Sequence, residues 1–167
     1  MSAVVSIELL LDEATEARVR ADWQHLADAG LSSLAAHTAL NNRPHVTLLA
    51  RPTLAAVAFA AAAEHLPIPI TLAEPIVFAH GERGVLAWRV ELSEELRDLH
   101  AAVHAAAPAG DDATHTIPGA WTPHITLARR LRRESLSEAL GLIGPPLAGT
   151  GVSPRRWDSA SATVTAL

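Results

Sequence analysis

One short histidine-containing segment occurs twice in this chain. Residues 43–48 read Arg-Pro-His-Val-Thr-Leu, and residues 122–127 read Thr-Pro-His-Ile-Thr-Leu. A single His-x-Thr triplet would carry little information in a chain with nine histidines. A histidine taken alone is more often a core or surface residue than a catalytic one. Two copies, each preceded by proline and followed by leucine, indicate a repeated functional element.

The spacing within each segment is that of one strand face. Successive side chains of a strand point to opposite faces, so His45 and Thr47 share one face. Val46 and Leu48 point the other way, where they can anchor the strand in a core. The second segment repeats this pattern. We therefore expect two imidazoles and two hydroxyls to meet across a cleft between two similar lobes.

These four side chains suit phosphodiester chemistry. The unperturbed pKa of histidine lies near neutral, so one imidazole can act as base while the other is protonated. We expect His45 and His124 to activate the attacking group and protonate the leaving oxygen. Thr47 and Thr126 would hold the non-bridging phosphate oxygens. The two segments contain no carboxylate and no set of metal ligands, so we expect neither a metal nor a cofactor.

The elements around the two segments also repeat. Each half of the chain predicts a strand, a helix, a loop, a histidine strand, a further helix and more strand. The two histidines are 79 residues apart, and the first helices of the two halves, starting near Glu13 and Glu94, are 81 apart. A tandem duplication explains both offsets. We expect one bilobal domain over residues 1–167, with approximate lobes 1–80 and 81–167 and possible exchange of strands.

Local signals predict where the helices begin. Asp12 and Ser93 are expected to cap the helices that follow them through their side-chain oxygens. Thr53 is expected to cap another helix over residues 54–66, which Pro67 ends. Each of these helices carries apolar residues at helical spacing, so each should bury one face.

Composition and charge narrow the classes of function. The chain has 167 residues, of which 49% are hydrophobic and 19% charged, which is typical of a globular domain. It has no cysteine, so disulfides and thiolate metal sites are excluded. Its start lacks the basic leader of a signal peptide, and no apolar run is long enough to span a membrane. We therefore expect a cytoplasmic protein without membrane association. We also expect a monomer.

The net charge of −5 disfavours binding of long duplex nucleic acid, which usually needs a strongly basic surface. Basic residues are clustered only locally, at residues 129–133 and 155–156. If the substrate is a nucleic acid, we expect an RNA terminus or a short fragment.

The two segments resemble those of the 2H phosphoesterase superfamily. Pro-His-Ile-Thr-Leu-Ala-Arg at residues 123–129 is similar to the second motif of the 2′-5′ RNA ligase and RNA 2′,3′-cyclic phosphodiesterase branch. The layout of nearly the whole chain fits this branch, although the residue resemblance is confined to the two motifs. The resemblance implies an α+β, bilobal, pseudo-two-fold fold, with two antiparallel sheets facing a central cleft and helices outside. It also implies metal-independent catalysis.

The resemblance also implies roles for individual residues. His124 would be the base and His45 the acid, while Thr47 and Thr126 would bind the phosphate. Arg129 would correspond to the arginine that follows the second motif of the family. The activity implied is hydrolysis of 2′,3′-cyclic phosphates of nucleotides or RNA ends to the 2′-phosphate, with 2′-5′ RNA ligation as reverse chemistry.

The residues after the two motifs do not decide which arginine binds the phosphate. The first copy continues Leu-Ala-Arg-Pro, where this branch often has an aromatic residue followed by Leu-Gly. On an unbroken strand, Arg51 shares the face of His45, and Arg130 shares the face of His124. Arg129 would need a bulge to reach the cleft. Trp121, three residues before the second histidine, could stack a base there or belong to the core.

Two alternatives belong to other functional classes. The cleft could bind a nucleotide or an RNA end without turnover. His100 and His104, four residues apart on a predicted helix, have the spacing of two metal ligands and could form a metal hydrolase site. The residues between them are Ala-Ala-Val, without the glutamate of a hydrolytic zinc motif, so a helix face without metal is the favoured interpretation.

Overall fold

The computed structural model describes residues 2–167 of the chain. It contains seven strands and four helices in these described residues, with short 3₁₀ turns at 34–36, 114–116 and 133–135. In chain order the elements are β1 (Val5–Leu11), α1 (Glu13–Asp28), β2 (His45–Arg51), α2 (Ala60–Ala63), β3 (Ile68–His80), β4 (Arg83–Val90), α3 (Glu94–Ala106), β5 (His124–Arg132), α4 (Leu136–Leu142), β6 (Leu147–Asp158) and β7 (Thr163–Ala166).

The strands form one antiparallel sheet in the order β2-β1-β6-β3-β4-β5, with β7 also paired to β6. Strand β6 joins the two halves. Its residues 147–151 pair with β3, and its residues 151–158 pair with β1. The end strands β2 and β5, which carry the two histidine segments, lie against each other. Folding of the sheet through β6 therefore brings the repeated segments together.

Each long helix covers the histidine strand from the other half of the chain. Helix α1 packs on β5 and β6, and α3 packs on β2 and β3. Trp23 of α1 donates its indole N–H to the carbonyl of Thr126, at 3.0 Å. Trp121, just before β5, donates to the carbonyl of Thr47, also at 3.0 Å. These two hydrogen bonds tie the halves together at the threonines of the motifs.

The α+β class with an antiparallel sheet is confirmed. The two expected sheets are hydrogen-bonded into one, because β6 is long enough to pair with both halves. The buried stripes predicted for the long helices are also found, with Val19, Trp23 and Leu26 of α1 buried. The β-branched and leucine-rich β1 is buried along its whole length, as a central strand of the sheet should be.

Two local predictions are wrong. Ser93 does cap α3 by accepting from the backbone N–H of Leu96, but the Asp12 side chain does not cap α1 and instead accepts from the N–H of Thr150. The helix expected over residues 54–66 is confined to Ala60–Ala63. Arg156 donates to the carbonyls of residues 54 and 55, which removes acceptors that a longer helix would use.

Within residues 2–167, no helix has the length and hydropathy needed to cross a membrane.

Candidate active site

A cavity of about 870 Å³ opens beside the two histidine strands. Five functional side chains line it: Glu8, His45, Thr47, Arg129 and Arg155. His37, His115 and Trp157, to which the sequence patterns assign no role, line it as well. The cavity is therefore rich in groups that can carry protons or bind an anion.

A β-bulge follows the first motif. Thr47 pairs with Glu8, and Leu49 pairs with Ile7, so Leu48 is an extra residue on β2. A bulge of this kind reverses which face the following side chains occupy. Leu48 and Leu49 are accordingly both fully buried.

The second motif is followed by a bulge at the equivalent place. Thr126 pairs with Ala87, and Ala128 pairs with Leu86, which leaves Leu127 as the extra residue on β5. Leu127 and Ala128 are both fully buried. The two motifs therefore share their register with the neighbouring strand as well as their sequence.

These two bulges, together with a second register shift on β5 between Ala128 and Leu131, decide which arginine can reach the cavity. Past the bulge, Arg129 lines the cavity in the second copy, and Ala50 occupies the equivalent position in the first. Arg130 is exposed and is not among the described residues that line the cavity. Arg51 lies on the opposite face, because the alternation of an unbroken strand does not continue beyond Thr47.

Arg51 has a structural environment instead. It is 4% exposed, its Nε donates to Oδ1 of Asp112 at 2.5 Å, and its Nη1 donates to the carbonyl of Pro108 at 2.6 Å. These contacts anchor the loop that follows α3 to the end of β2. The Arg51 guanidinium is thus bonded to Asp112 and to the carbonyl of Pro108, away from the cavity.

His45 lies between two acceptors. Its Nδ1–H donates to the carbonyl of Arg43 at 2.8 Å, and its Nε2 is 2.9 Å from Oε2 of Glu8. The other carboxylate oxygen of Glu8 accepts from Nε of Arg155 at 2.9 Å. Burial acts to raise the pKa of Glu8, but His45 and Arg155 more than offset it, so this pKa lies below its usual value. Each ring nitrogen of His45 therefore faces an oxygen that can accept a hydrogen bond.

His124 has the opposite character. Its Nδ1–H donates to the carbonyl of Thr122 at 2.8 Å, and within residues 2–167 its Nε2 has no hydrogen-bond partner. Burial, with further contributions from the charges of His115 and His45, lowers the pKa of His124. The ring of Phe78 packs against it at a centroid distance of 4.7 Å. His124 therefore presents a basic, unprotonated Nε2 near neutral pH.

The threonines of the motifs are half-buried. Their backbone carbonyls accept the indole hydrogen bonds of Trp23 and Trp121, which fixes the strands on which they lie. In the described chain neither the Thr47 nor the Thr126 hydroxyl is hydrogen-bonded to protein. Thr47 lines the cavity, so its hydroxyl is available to a ligand there, whereas His124 and Thr126 are not among the described residues that line it.

The family model for the 2′-5′ RNA ligase superfamily matches residues 12–167, which include both histidine strands. The chain belongs to this superfamily. The resemblance to 2H phosphoesterases seen in the two motifs is thereby confirmed. Members of this superfamily are generally enzymes that act on phosphodiester bonds.

Structural comparison finds Usb1 from Kluyveromyces marxianus. The match has 13% sequence identity and a TM-score of 0.48, and it covers 99% of this chain and 97% of that one. A second structure of the same protein, with uridine monophosphate, matches with 13% identity, a TM-score of 0.46 and 99% coverage of both chains. Among curated proteins, none matches significantly.

Trp121 is held in the core of this superfamily member. It is 9% exposed, its N–H is bonded to Thr47, and its ring stacks on His100 at 3.8 Å with the planes 3° apart. His100 therefore covers one face of the indole ring, where a base could otherwise stack. The geometry thus favours the core interpretation over the base platform.

His100 and His104 are likewise engaged within the fold. Nε2 of His100 donates to the carbonyl of Thr116 at 2.9 Å, and Nε2 of His104 donates to the carbonyl of Leu48 at 3.0 Å. Burial, and then the charge of His104, lowers the pKa of His100 to about 4. No group of three metal-ligating side chains occurs in residues 2–167. This geometry gives the metal-hydrolase alternative no third ligand within the described chain.

Glu8 and Arg155 are functional residues of the cavity that the sequence patterns do not single out. The available signal was that Ser6 and Glu8 give β1 one polar face within an otherwise apolar strand. Arg155 stood only in a basic pair with residue 156. The two partners are 147 residues apart, so only the pairing of β1 with β6 brings them together.

Proposed function

We propose that the chain is a metal-independent phosphodiesterase that hydrolyses 2′,3′-cyclic phosphates of nucleotides or RNA ends. The observation that carries this proposal is the asymmetry of the two histidines. Nε2 of His124 is unpartnered in the described chain, while both nitrogens of His45 face acceptors. A general base and a general acid on facing strands are what cleavage of a phosphodiester requires.

In the proposed reaction, Nε2 of His124 takes a proton from a water molecule. The water oxygen bonds to phosphorus, and the bond from phosphorus to the 3′-oxygen breaks. His45 donates its Nε2 proton to that oxygen, so the product is a 2′-phosphate with a free 3′-hydroxyl. His124 ends protonated and His45 neutral, and exchange of one proton with solvent restores both.

Phosphate binding is assigned to three side chains around this path. The hydroxyls of Thr47 and Thr126 donate to the non-bridging oxygens, which gain charge as the water adds. Arg129, on the same side of its bulge as the cavity, adds a permanent positive charge. Membership of the superfamily supports a phosphodiester as the group that these side chains bind.

The net charge of −5 favours a short substrate. We propose a nucleotide 2′,3′-cyclic phosphate or an RNA terminus as the ligand, bound by a monomer. In 2′-5′ ligation, the 5′-hydroxyl of a second RNA takes the place of water: its oxygen bonds to phosphorus and the bond to the 3′-oxygen breaks. Both reactions need the same acid and base.

The test is hydrolysis of a panel of 2′,3′-cyclic nucleotides and RNA ends in the presence of EDTA. We expect turnover by the wild-type protein, and a loss of about 10²- to 10⁴-fold in kcat for His45→Ala and for His124→Ala. His65→Ala is the matched control, since His65 is exposed and outside the described cavity lining; its activity should equal that of the wild type.

Each other outcome identifies a different function. Tight nucleotide binding without product over long incubation would favour a binding module. Activity that appears only with added metal and disappears in EDTA would favour the metal hydrolase. Activity that survives both histidine substitutions would refute the two-histidine mechanism.

A further inference from the structure

The two motifs are equivalent in register but have different neighbours. Thr47 is paired with Glu8 on β1, and Thr126 is paired with Ala87 on β4. The bulge follows at the same place in both pairs. Glu8 and Ala87 therefore occupy equivalent positions in the two halves of the sheet. The repeated site has a carboxylate beside one histidine strand and a methyl group beside the other.

Glu8 is built into the fold. It is 3% exposed and its partner Arg155 is 5% exposed. Thr47, Glu8 and Arg155 form one row across β2, β1 and β6, and the row faces the cavity. Since a buried carboxylate is unfavourable unless it is paired, the Arg155 guanidinium explains how Glu8 can remain ionised there.

The other titratable and charged groups around His45 oppose its protonation. His37, His115, Arg129 and Arg155 line the same cavity, and His124 interacts with it electrostatically from β5. Glu8 is the one acidic side chain among the described residues of the lining. It is also the one in direct contact with the imidazole.

We propose that Glu8 is a positioning residue that keeps His45 protonated at both nitrogens and thereby assigns the acid role to His45 and the base role to His124. The role in turnover rests on the proposed function, whereas the charge state of the ring does not. In the resting site the Nε2–H of His45 is held by Glu8, and the Nδ1–H is held by the carbonyl of Arg43.

This arrangement also resets the site after each reaction. Because Nε2 carries a single hydrogen, the leaving oxygen must first replace Glu8 as its acceptor. Once the proton has passed to that oxygen, the bare Nε2 lone pair lies beside an ionised carboxylate. That contact is repulsive, so His45 takes a proton back from solvent while His124 releases one. At the position of Ala87 nothing equivalent favours the protonated form of His124, so the direction of proton transfer is fixed.

The charge state is tested by ¹⁵N NMR of the histidine rings without substrate, with His45 assigned by the resonance missing in His45→Gln. At about pH 7 we expect both ring nitrogens of His45 to be protonated in the wild type. In Glu8→Gln, whose amide can still accept from Arg155, Nε2 should lose its proton at a pH lower by about one unit or more. Glu8→Asp, which keeps the charge, should stay close to the wild type.

Glu134→Gln is the matched control, because it removes the charge of an exposed glutamate that pairs with Arg132 outside this cavity. Its His45 resonances should be those of the wild type. Equal titration of His45 in the wild type and in Glu8→Gln would overturn the proposal. If Glu8→Gln does not fold, the wild type decides, since a bare Nε2 on His45 at about pH 7 contradicts it.

Kinetics then test the role in turnover. In Glu8→Gln the alkaline limb of the kcat profile, which reports loss of the acid's proton, should move to lower pH by about one unit or more. Near pH 8, kcat should fall about tenfold with KM little changed, and Glu8→Asp should restore part of it. An unshifted limb in a folded variant refutes the positioning role. A wild-type protein without turnover would refute the proposed function, while the NMR result would still stand.

Discussion

The arginines after the two motifs allow a direct test of the bulges. Arg51 and Arg130 follow their histidines by the same number of residues, and Arg129 precedes Arg130 by one. The structure buries Arg51 away from the cavity, exposes Arg130 outside its described lining and places Arg129 in that lining. Substitution of each by methionine removes the charge and keeps most of the apolar stem. We expect three different results.

Arg51→Met should destabilise the fold. It leaves Asp112, whose side chain is 18% exposed, without its partner, and it frees the carbonyl of Pro108. Removal of one partner from a largely buried ion pair costs about 3–5 kcal/mol, which for a chain of this length lowers Tm by roughly 6–20 °C. The activity per folded molecule should be unchanged at low temperature.

Arg129→Met should act on catalysis and leave stability unchanged, because Arg129 is exposed to the cavity. Loss of one charged contact to phosphate is worth about 1.5–3 kcal/mol, or roughly 10- to 100-fold in kcat/KM. Arg130→Met should change neither property. Thermal unfolding followed by circular dichroism, and kcat/KM on a cyclic nucleotide well below Tm, give the two readouts. A large loss of kcat/KM in Arg51→Met at unchanged Tm would refute the assignment of the bulges.

Two further predictions concern the buried histidine and tryptophan. The pKa of His100 is lowered to about 4 by burial and then by His104, whereas an unfolded histidine binds a proton near pH 6.5. The contribution of neutral His100 to the free energy of unfolding is thus complete above about pH 6.5, and up to about 3 kcal/mol is lost as the pH falls toward 4. The free energy of unfolding in urea should therefore differ less between about pH 7 and pH 5 in His100→Gln than in the wild type. Trp121→Phe keeps the stacking on His100 but removes the hydrogen bond to Thr47, so it should lower the free energy of unfolding by about 1–2 kcal/mol at unchanged KM. A marked rise in KM would instead show that the indole contacts the substrate.

Much of the fold could be predicted because the signals are local. The alternation around His45 and His124 predicts strands, and the apolar spacing of Val19, Trp23 and Leu26 predicts a helix. Where a tertiary contact competes with the local signal, prediction fails. Arg156 donates to the carbonyls of residues 54 and 55. The helix that the sequence predicts after Thr53 is therefore confined to Ala60–Ala63.

The candidate site divides in the same way. The amino-acid sequence is enough to predict the pair of His-Thr faces, because their spacing depends only on the two-residue period of a strand. It could not determine which arginine reaches the cavity, since a bulge is a property of two paired strands and reverses the alternation beyond it. Nor could it join Glu8 to Arg155. Residues far apart in the chain become neighbours only when β6 pairs with β1, and it is that pairing which makes the two repeated histidines chemically different.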